Sequence, residues 1–330
     1  MQRCRNKVEE TMGTLGRRAL GLATAALAGP ALAQPRGSLR IVVPFPPGGS
    51  TDAAGRLAAQ QLQQRLGTTV IVDNRPGANG FVGAEWVRQQ PADGSTLLFS
   101  ASVFSLARQV LRNAPHDPVE DFTPIARMAR GPLLVLINPA IPAETLAEFV
   151  ALLRRDPARY SVAISSLGAA GHLASIAFLR EVGVELASVA YRGSAPAQLD
   201  VVTGQVSLLI DPVLSALPLV RAGRLKALAI THDSRIGSAP EIPTAAEAGM
   251  PGLVFGSWYG LWGPKGLPAA EVARLNGAMQ DAMRDPAVAE RVRQLGFEPV
   301  AEDAAAFDRF VRADVARSAE LLRLANFQPE

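Results

Sequence analysis

A unit of strand, small-residue loop and helix occurs twice in this chain, and that repetition restricts the fold more than any other feature. Residues 39–43, Leu-Arg-Ile-Val-Val, form a short β-rich apolar run, followed by Pro44-Phe45-Pro46-Pro47-Gly48-Gly49 and Ser50-Thr51-Asp52. From Ala53 the spacing of Leu57, Ala58, Leu62 and Leu66 marks one helical face, and Gly67 is its stop. The second copy predicts a strand over 160–164, a small-residue loop over 165–171 and a helix over 172–182 that ends at Gly183. Further strands are predicted over 69–72, 96–100, 133–137, 188–191, 206–210 and 225–231. Helices are predicted over 81–89, after the capping box of Thr145 and Glu148, and as a short turn from Thr244 to Gly249. The tail carries amphipathic patterns over 269–283, 287–295 and 304–324. Such alternation defines an α/β protein with largely parallel strands. Two copies of the opening unit imply two lobes of similar architecture, with the C-terminal helices returning to the first.

The N-terminus bears on which residues belong to that fold. Arg3, Arg5, Lys7, Arg17 and Arg18 precede an uncharged Ala/Leu/Gly-rich run from Ala19 to Ala33 that ends in Ala31-Leu32-Ala33. This is the pattern of a secretory signal with cleavage after Ala33, and the run is shorter than the ~20 residues a membrane span needs. Of 33 Lys+Arg and 30 Asp+Glu, 5 and 2 lie in 1–33, which leaves 28 of each in the remainder. A neutral mature chain has no global field for nucleic acid or anionic lipid. The single cysteine, Cys4, belongs to the leader, so the mature chain offers no disulfide, thiolate nucleophile or cysteine metal site. Neither a cofactor nor a metal is expected.

Four loops could carry chemistry. Pro44–Asp52 ends a strand and opens a helix, where unsatisfied backbone N–H groups and the helix dipole favour an anion, and where Gly48 and Gly49 let backbone approach a ligand. The alternative is a plain turn whose Gly and Pro serve only geometry. The loop 74–80, Asn-Arg-Pro-Gly-Ala-Asn-Gly, also precedes a helix and is placed at the same sheet edge, where ligands of open α/β sheets bind. Ser165–His172 is its counterpart in the second lobe; His172 there is either a ligand contact or a cap. Arg192 and Asp211 each follow a strand, and each is either a ligand partner or a structural pairing. Catalytic motifs are missing: no G-x-S-x-G, G-x-G-x-x-G, Walker loop or H-E-x-x-H occurs, and His116, His172 and His232 lie far apart in sequence.

The segments 40–52 and 74–80 resemble the opening of the Bug family, the extracytoplasmic solute receptors of tripartite tricarboxylate transporters. The resemblance continues through 117–122, 166–173, 189–193, 225–231, 243–249 and 258–264, and so spans the mature chain in order. It implies a type II periplasmic binding fold, with two α/β lobes joined by crossover strands and a ligand cleft between them. It places a first lobe at 34–132 and 257–330 and a second at 133–256. It also implies that a ligand carboxylate is held mainly by backbone amides, hydroxyls and waters. Carried over by position, that favours Phe45, Gly48, Ser50, Thr51, Asp52, Asn79 and Gly80, faced by Ser166, Gly168, Ala169 and His172, with Asp211 a weaker carry-over. The chain departs from the family at 99–105, where Phe104 either favours a bulkier, more apolar acid or belongs to the core. At His116 it departs again, where relatives have Tyr.

The resulting expectation is a monomeric periplasmic receptor, not an enzyme, that captures a small organic acid for integral membrane transporter subunits. The alternatives are a sensor that presents the acid to a sensor kinase, and an enzyme acting on organic acids.

Overall fold

The computed structural model describes residues 38–329. The predicted signal peptide and its cleavage point lie outside the described residues. The chain begins with β1 (Leu39–Val43), α1 (Ser50–Leu66), β2 (Val70–Asn74), α2 (Phe81–Arg88), β3 (Thr96–Ala101) and the short α3 (Ala107–Val110). It then runs through β4 (Phe122–Ile137), α4 (Leu146–Arg155), β5 (Ser161–Ile164), α5 (Ala170–Val182), β6 (Ala187–Ala190), α6 (Ser194–Val202), β7 (Leu208–Pro212), α7 (Val213–Arg221) and β8 (Lys226–Ile230). It closes with β9 (Gly256–Pro264), α8 (Ala269–Arg284), α9 (Pro286–Gln294), β10 (Glu298–Pro299) and α10 (Ala304–Leu324).

The two predicted units become two parallel three-stranded arrangements of the same order. β1 lies between β2 and β3, and β5 lies between β6 and β7, all parallel. Around them the pairing is antiparallel: β9 joins β3 to β4, and β4 pairs with β7, β8 and β10. The sheets are therefore mixed rather than largely parallel. Their link is β4, a 16-residue strand whose first part pairs with β9 and whose last five residues pair with β7 and β8.

Only 133–137 of that strand follows from its apolar run. The preceding stretch, with Pro124, Arg127, Arg130, Gly131 and Pro132, breaks every period-2 pattern. It is extended because its charges find partners at the sheet margin. Arg127 makes two 2.8 Å hydrogen bonds to Glu302 and lies 3.6 Å from the Phe310 ring centroid, while Arg130 meets Glu298 at 2.6 Å. β9, with its two Trp and one Tyr, and the two-residue β10 are the other strands that the pattern reading omits; α3, α6 and α7 are omitted among the helices. The Thr244–Gly249 segment forms turns rather than a helix, although Thr244 and Glu247 exchange the expected cap bonds at 2.8 and 3.1 Å.

Each sheet is covered on both faces because its strands alternate. Ile41, Val43, Leu97 and Phe99 pack with Leu57 and Leu62 of α1 and Met279 of α8, while Val42 and Leu98 face Val87 of α2 and Phe307 of α10. In the second lobe Leu133, Val135 and Ile137 pack with Phe149 of α4 and Phe178 of α5. Leu134 and Leu136 face Val201 of α6 and Leu217 of α7. Both sheets thereby aim the carboxyl ends of their parallel strands, and the helix starts that follow them, at one shared space.

Candidate functional site

That space is a cavity of about 50 Å³ lined from both lobes, several times the ~10–15 Å³ that a single water requires. α1 contributes Gly49, Ser50 and Thr51; α5 contributes Ala169, Ala170 and Gly171; α6 contributes Gly193, Ser194, Ala195 and Pro196; Asp211 and Pro212 lead into α7. These four helices begin on the cavity, and none has a side-chain cap at its N-terminus. Thr145, Asp285 and Asp303 cap α4, α9 and α10, which begin elsewhere, as do the uncapped α2, α3 and α8. Uncapped N-termini leave backbone donors and partial positive charge pointing at the cavity. Hydroxyls of Ser102, Ser165, Ser166, Ser257 and Tyr259 complete the polar lining, and no Lys, Arg or His is part of it.

Contacts between the lobes close the cavity. Ser50 Oγ donates to Ser215 Oγ at 2.7 Å, and Asn79 Nδ2 donates to the Leu167 carbonyl at 2.8 Å. Ser166 Oγ also meets Asn79 Oδ1. On the second-lobe side Asp211 is fully buried and accepts from Ser194 Oγ at 3.0 Å, Gln198 Nε2 at 2.8 Å and Ser215 Oγ at 3.2 Å. Burial pushes its carboxyl up to about 6, and the hydroxyl and amide donors around it only partly offset that effect.

The residues singled out from the sequence divide into two groups. Phe45, Ser50, Thr51, Ser166, Ala169 and Asp211 line the cavity. Gly48, Asp52, Asn79, Gly80, Gly168 and His172 stand behind it and hold the lining in place. Gly48 has φ +88° and gives its N–H to Asp52 Oδ2 at 3.0 Å, so that donor is turned away from the cavity; its neighbour Gly49 lines it instead. Asp52 also binds Arg56 Nε at 3.0 Å and Asn74 Nδ2 at 2.9 Å. Its burial opposes ionisation, yet these donors outweigh burial and hold the carboxyl below its ordinary value. Gly80 packs against the Phe45 ring: a Cβ there would sit 3.2 Å from Phe45 Cζ. His172 Nδ1 accepts the Gly168 N–H at 3.0 Å, and its ring stands edge-on to Phe327 at 5.2 Å. Burial lowers this imidazole to about 4, consistent with a neutral acceptor. His172 is thus engaged as an acceptor within its own loop.

Arg192 is exposed and does not line the cavity; the small residues after it do. Phe104 belongs to the core, edge-on to Phe122 and Trp262 at 5.0 Å each. His116 lies in the same aromatic cluster, 5.1 Å from Phe81, with Nδ1 3.2 Å from Glu85. Pattern reading missed Ser257 and Tyr259, which reach the cavity from β9, and Ser102 and Val103 from the segment after β3. The aromatic run Trp258-Tyr259 with Trp262 was the available signal, since such residues favour strands.

Two α/β lobes that enclose a small cavity, with helix starts converging from both, define a solute-binding protein of the two-lobed periplasmic type. Residues 54–327 match the family model described as the tripartite tricarboxylate transporter family receptor, and the chain belongs to that family. It is 33% identical to the protein BugT of Bordetella pertussis over 92% of this chain and 94% of that one. Among solved structures it is similar to Rpa4515 of R. palustris, solved with adipate. There the identity is 33% and the TM-score 0.87, over 90% of this chain and 100% of that one. It is also similar to MatC from Rhodopseudomonas palustris with bound malate, at 30% identity and a TM-score of 0.81, over 87% and 99% of the two chains.

Proposed function

We propose that this chain is exported to the periplasm, loses residues 1–33, and there captures a small organic acid for delivery to integral membrane transporter subunits, without transforming it. The observation that carries this reading is the convergence of four uncapped helix N-termini, from both lobes, on a cavity without a cationic side chain. Backbone dipoles and hydroxyls suit a carboxylate. The relatives solved with adipate and with malate support an acid as the ligand class.

Capture is by closure. We place the first lobe at 38–132 and 257–329 and the second at 133–256, with the hinge where β4 and β9 last pair, at Gly131↔Ser257 and Pro132↔Gly256. A ligand that bridges the lobes shifts the population towards the closed form, which the membrane subunits read. Binding without turnover is supported by the lining: its hydroxyls have no histidine beside them, and His172 Nδ1 is engaged by the Gly168 N–H.

A thermal-shift panel of organic acids that includes adipate and malate tests the assignment, together with mass spectrometry of any ligand carried through purification. An acid at about a hundred times its dissociation constant adds ~2.7 kcal/mol of stability, a readily measured rise in melting temperature. Recovery of the acid unchanged after incubation is the expected companion result. A panel that leaves the melting temperature unmoved overturns the reading.

A further inference from the structure

One polar group of the cavity lining has no hydrogen-bond partner among the described residues. Tyr259 is fully buried on β9, its ring parallel to Phe99 at 6.4 Å and tilted against Phe297 at 5.3 Å, so its phenol is held by packing on both sides. Tyr259 is part of the cavity lining, yet among the described residues its buried Oη makes no hydrogen bond. The Ser257 and Ser50 hydroxyls lie close enough to temper the effect of burial without satisfying it. An unmatched buried hydroxyl costs roughly 1–3 kcal/mol, and phenylalanine would fill the same aromatic slot without that cost. Buried polar groups are nearly always partnered, so the missing partner calls for a molecule from outside the chain.

The chemistry of that partner follows from the protonation state. Burial, reinforced by the nearby charge of Asp211, holds the phenol well above its ordinary range. Tyr259 therefore keeps its proton at physiological pH and is available as a neutral donor. We propose that Tyr259 is a ligand-reading residue whose O–H donates to an oxygen of the bound acid from the first-lobe floor of the cavity. The proposal rests on the carboxylate reading of the cavity. It adds a side-chain donor, fixed to the sheet, to the backbone donors of the helix starts. It also gives β9, the strand that pairs with β4 up to the hinge, direct contact with the ligand.

The test is isothermal titration of adipate and malate into the wild-type protein and into Tyr259→Phe, with melting of both proteins in the absence of acid. For the acid that wild type binds, Tyr259→Phe is expected to bind at least about tenfold more weakly, or ~1.4 kcal/mol. Its unliganded melting temperature is expected to equal or exceed that of wild type, because the hydroxyl removed had no partner to lose. A wild-type structure with the acid bound should place Oη about 2.7 Å from a ligand oxygen. Affinity within twofold of wild type overturns the Tyr259 assignment alone, as does a bound acid with no oxygen in reach of Oη. A fall of several degrees in the unliganded variant overturns it too, by showing that the hydroxyl serves the fold. If wild type binds neither these acids nor any other in the panel, the carboxylate reading fails and the Tyr259 proposal falls with it.

Discussion

Asp211 is the one acidic side chain in a cavity whose helix starts attract negative charge, and it is the residue most sensitive to pH there. Its carboxyl is raised to about 6 in the folded protein from an ordinary 3.8. Between those values the folded state holds the proton more tightly, so the contribution is fully present at low pH and is lost as pH rises through about 6. Melting the wild type and Asp211→Asn from pH 4 to 7 should show a relative loss in the wild type worth roughly 2.4 kcal/mol. Parallel curves for the two proteins would refute that account. The adjacent glycines separate in a similar way. Gly49 has β-region backbone and faces Ser194, whose Cβ would lie 3.9 Å from an added Cβ. Gly49→Val is thus expected to fold normally and to lower acid affinity at least tenfold in a titration, since its methyls occupy the closing gap. Gly48→Val places a β-branched residue at φ +88° and is expected to cost about 1–3 kcal/mol of stability. At this scale the sequence pointed to the loops 44–52 and 165–172, which line the cavity, but not to which atoms face inward. Gly48, Asp52 and His172 look like ligand groups because they are polar or small at a helix start. The bonds of Gly48 to Asp52 and of Gly168 to His172 depend on turns within each loop that spacing does not encode.

Four helix starts line the cavity, and the elements are arranged to bring them close. α5 can approach β7 only because residue 171 lacks a side chain: a Cβ there would lie 2.0 Å from the Ile210 carbonyl oxygen. Backbone on both sides leaves nothing to yield. Gly171→Ala should therefore cost about 1–3 kcal/mol in urea denaturation and weaken acid binding by displacing the helix start. Thr145→Ala, which removes the capping box of α4, should cost about 1 kcal/mol and leave affinity unchanged. Equal effects on affinity from both changes would contradict the division between helices that begin on the cavity and those that begin elsewhere. Elements with a clear period were legible in advance: α10 spans the predicted 304–324, and β1 spans 39–43. β9 and the first part of β4 were not. Their extended form is imposed by neighbouring strands and by partners such as Glu302 and Phe310, which lie far away in sequence.

The molecule as a whole is seen with its lobes together, and Asn79 is a principal tie between them. Its side chain binds the Leu167 carbonyl at 2.8 Å and meets Ser166. Asn79→Ala removes both contacts from a residue that is not itself part of the cavity lining. It should lower apparent affinity in proportion to the lost fraction of closed molecules, and small-angle scattering of the unliganded variant should give a larger radius of gyration than wild type. An unchanged radius and affinity would assign the tie elsewhere. The two-lobed plan was legible from the repeated opening unit, because a strand, a small-residue loop and a helix form a local pattern. The mixed pairing at the centre was not, because it joins residues such as Leu98 and Trp262 that are far apart in the chain. β4 has a last effect on how the protein comes apart. One continuous strand supplies backbone hydrogen bonds to β9 on one side of the hinge and to β7 and β8 on the other. Neither lobe can melt without stripping the strand on which the other is built. Heat denaturation should accordingly be a single event, with calorimetric and van't Hoff enthalpies in agreement, and the amides of β4 on both sides of the hinge should be among the last to exchange with solvent. Two lobes built on one strand should therefore survive or fail together.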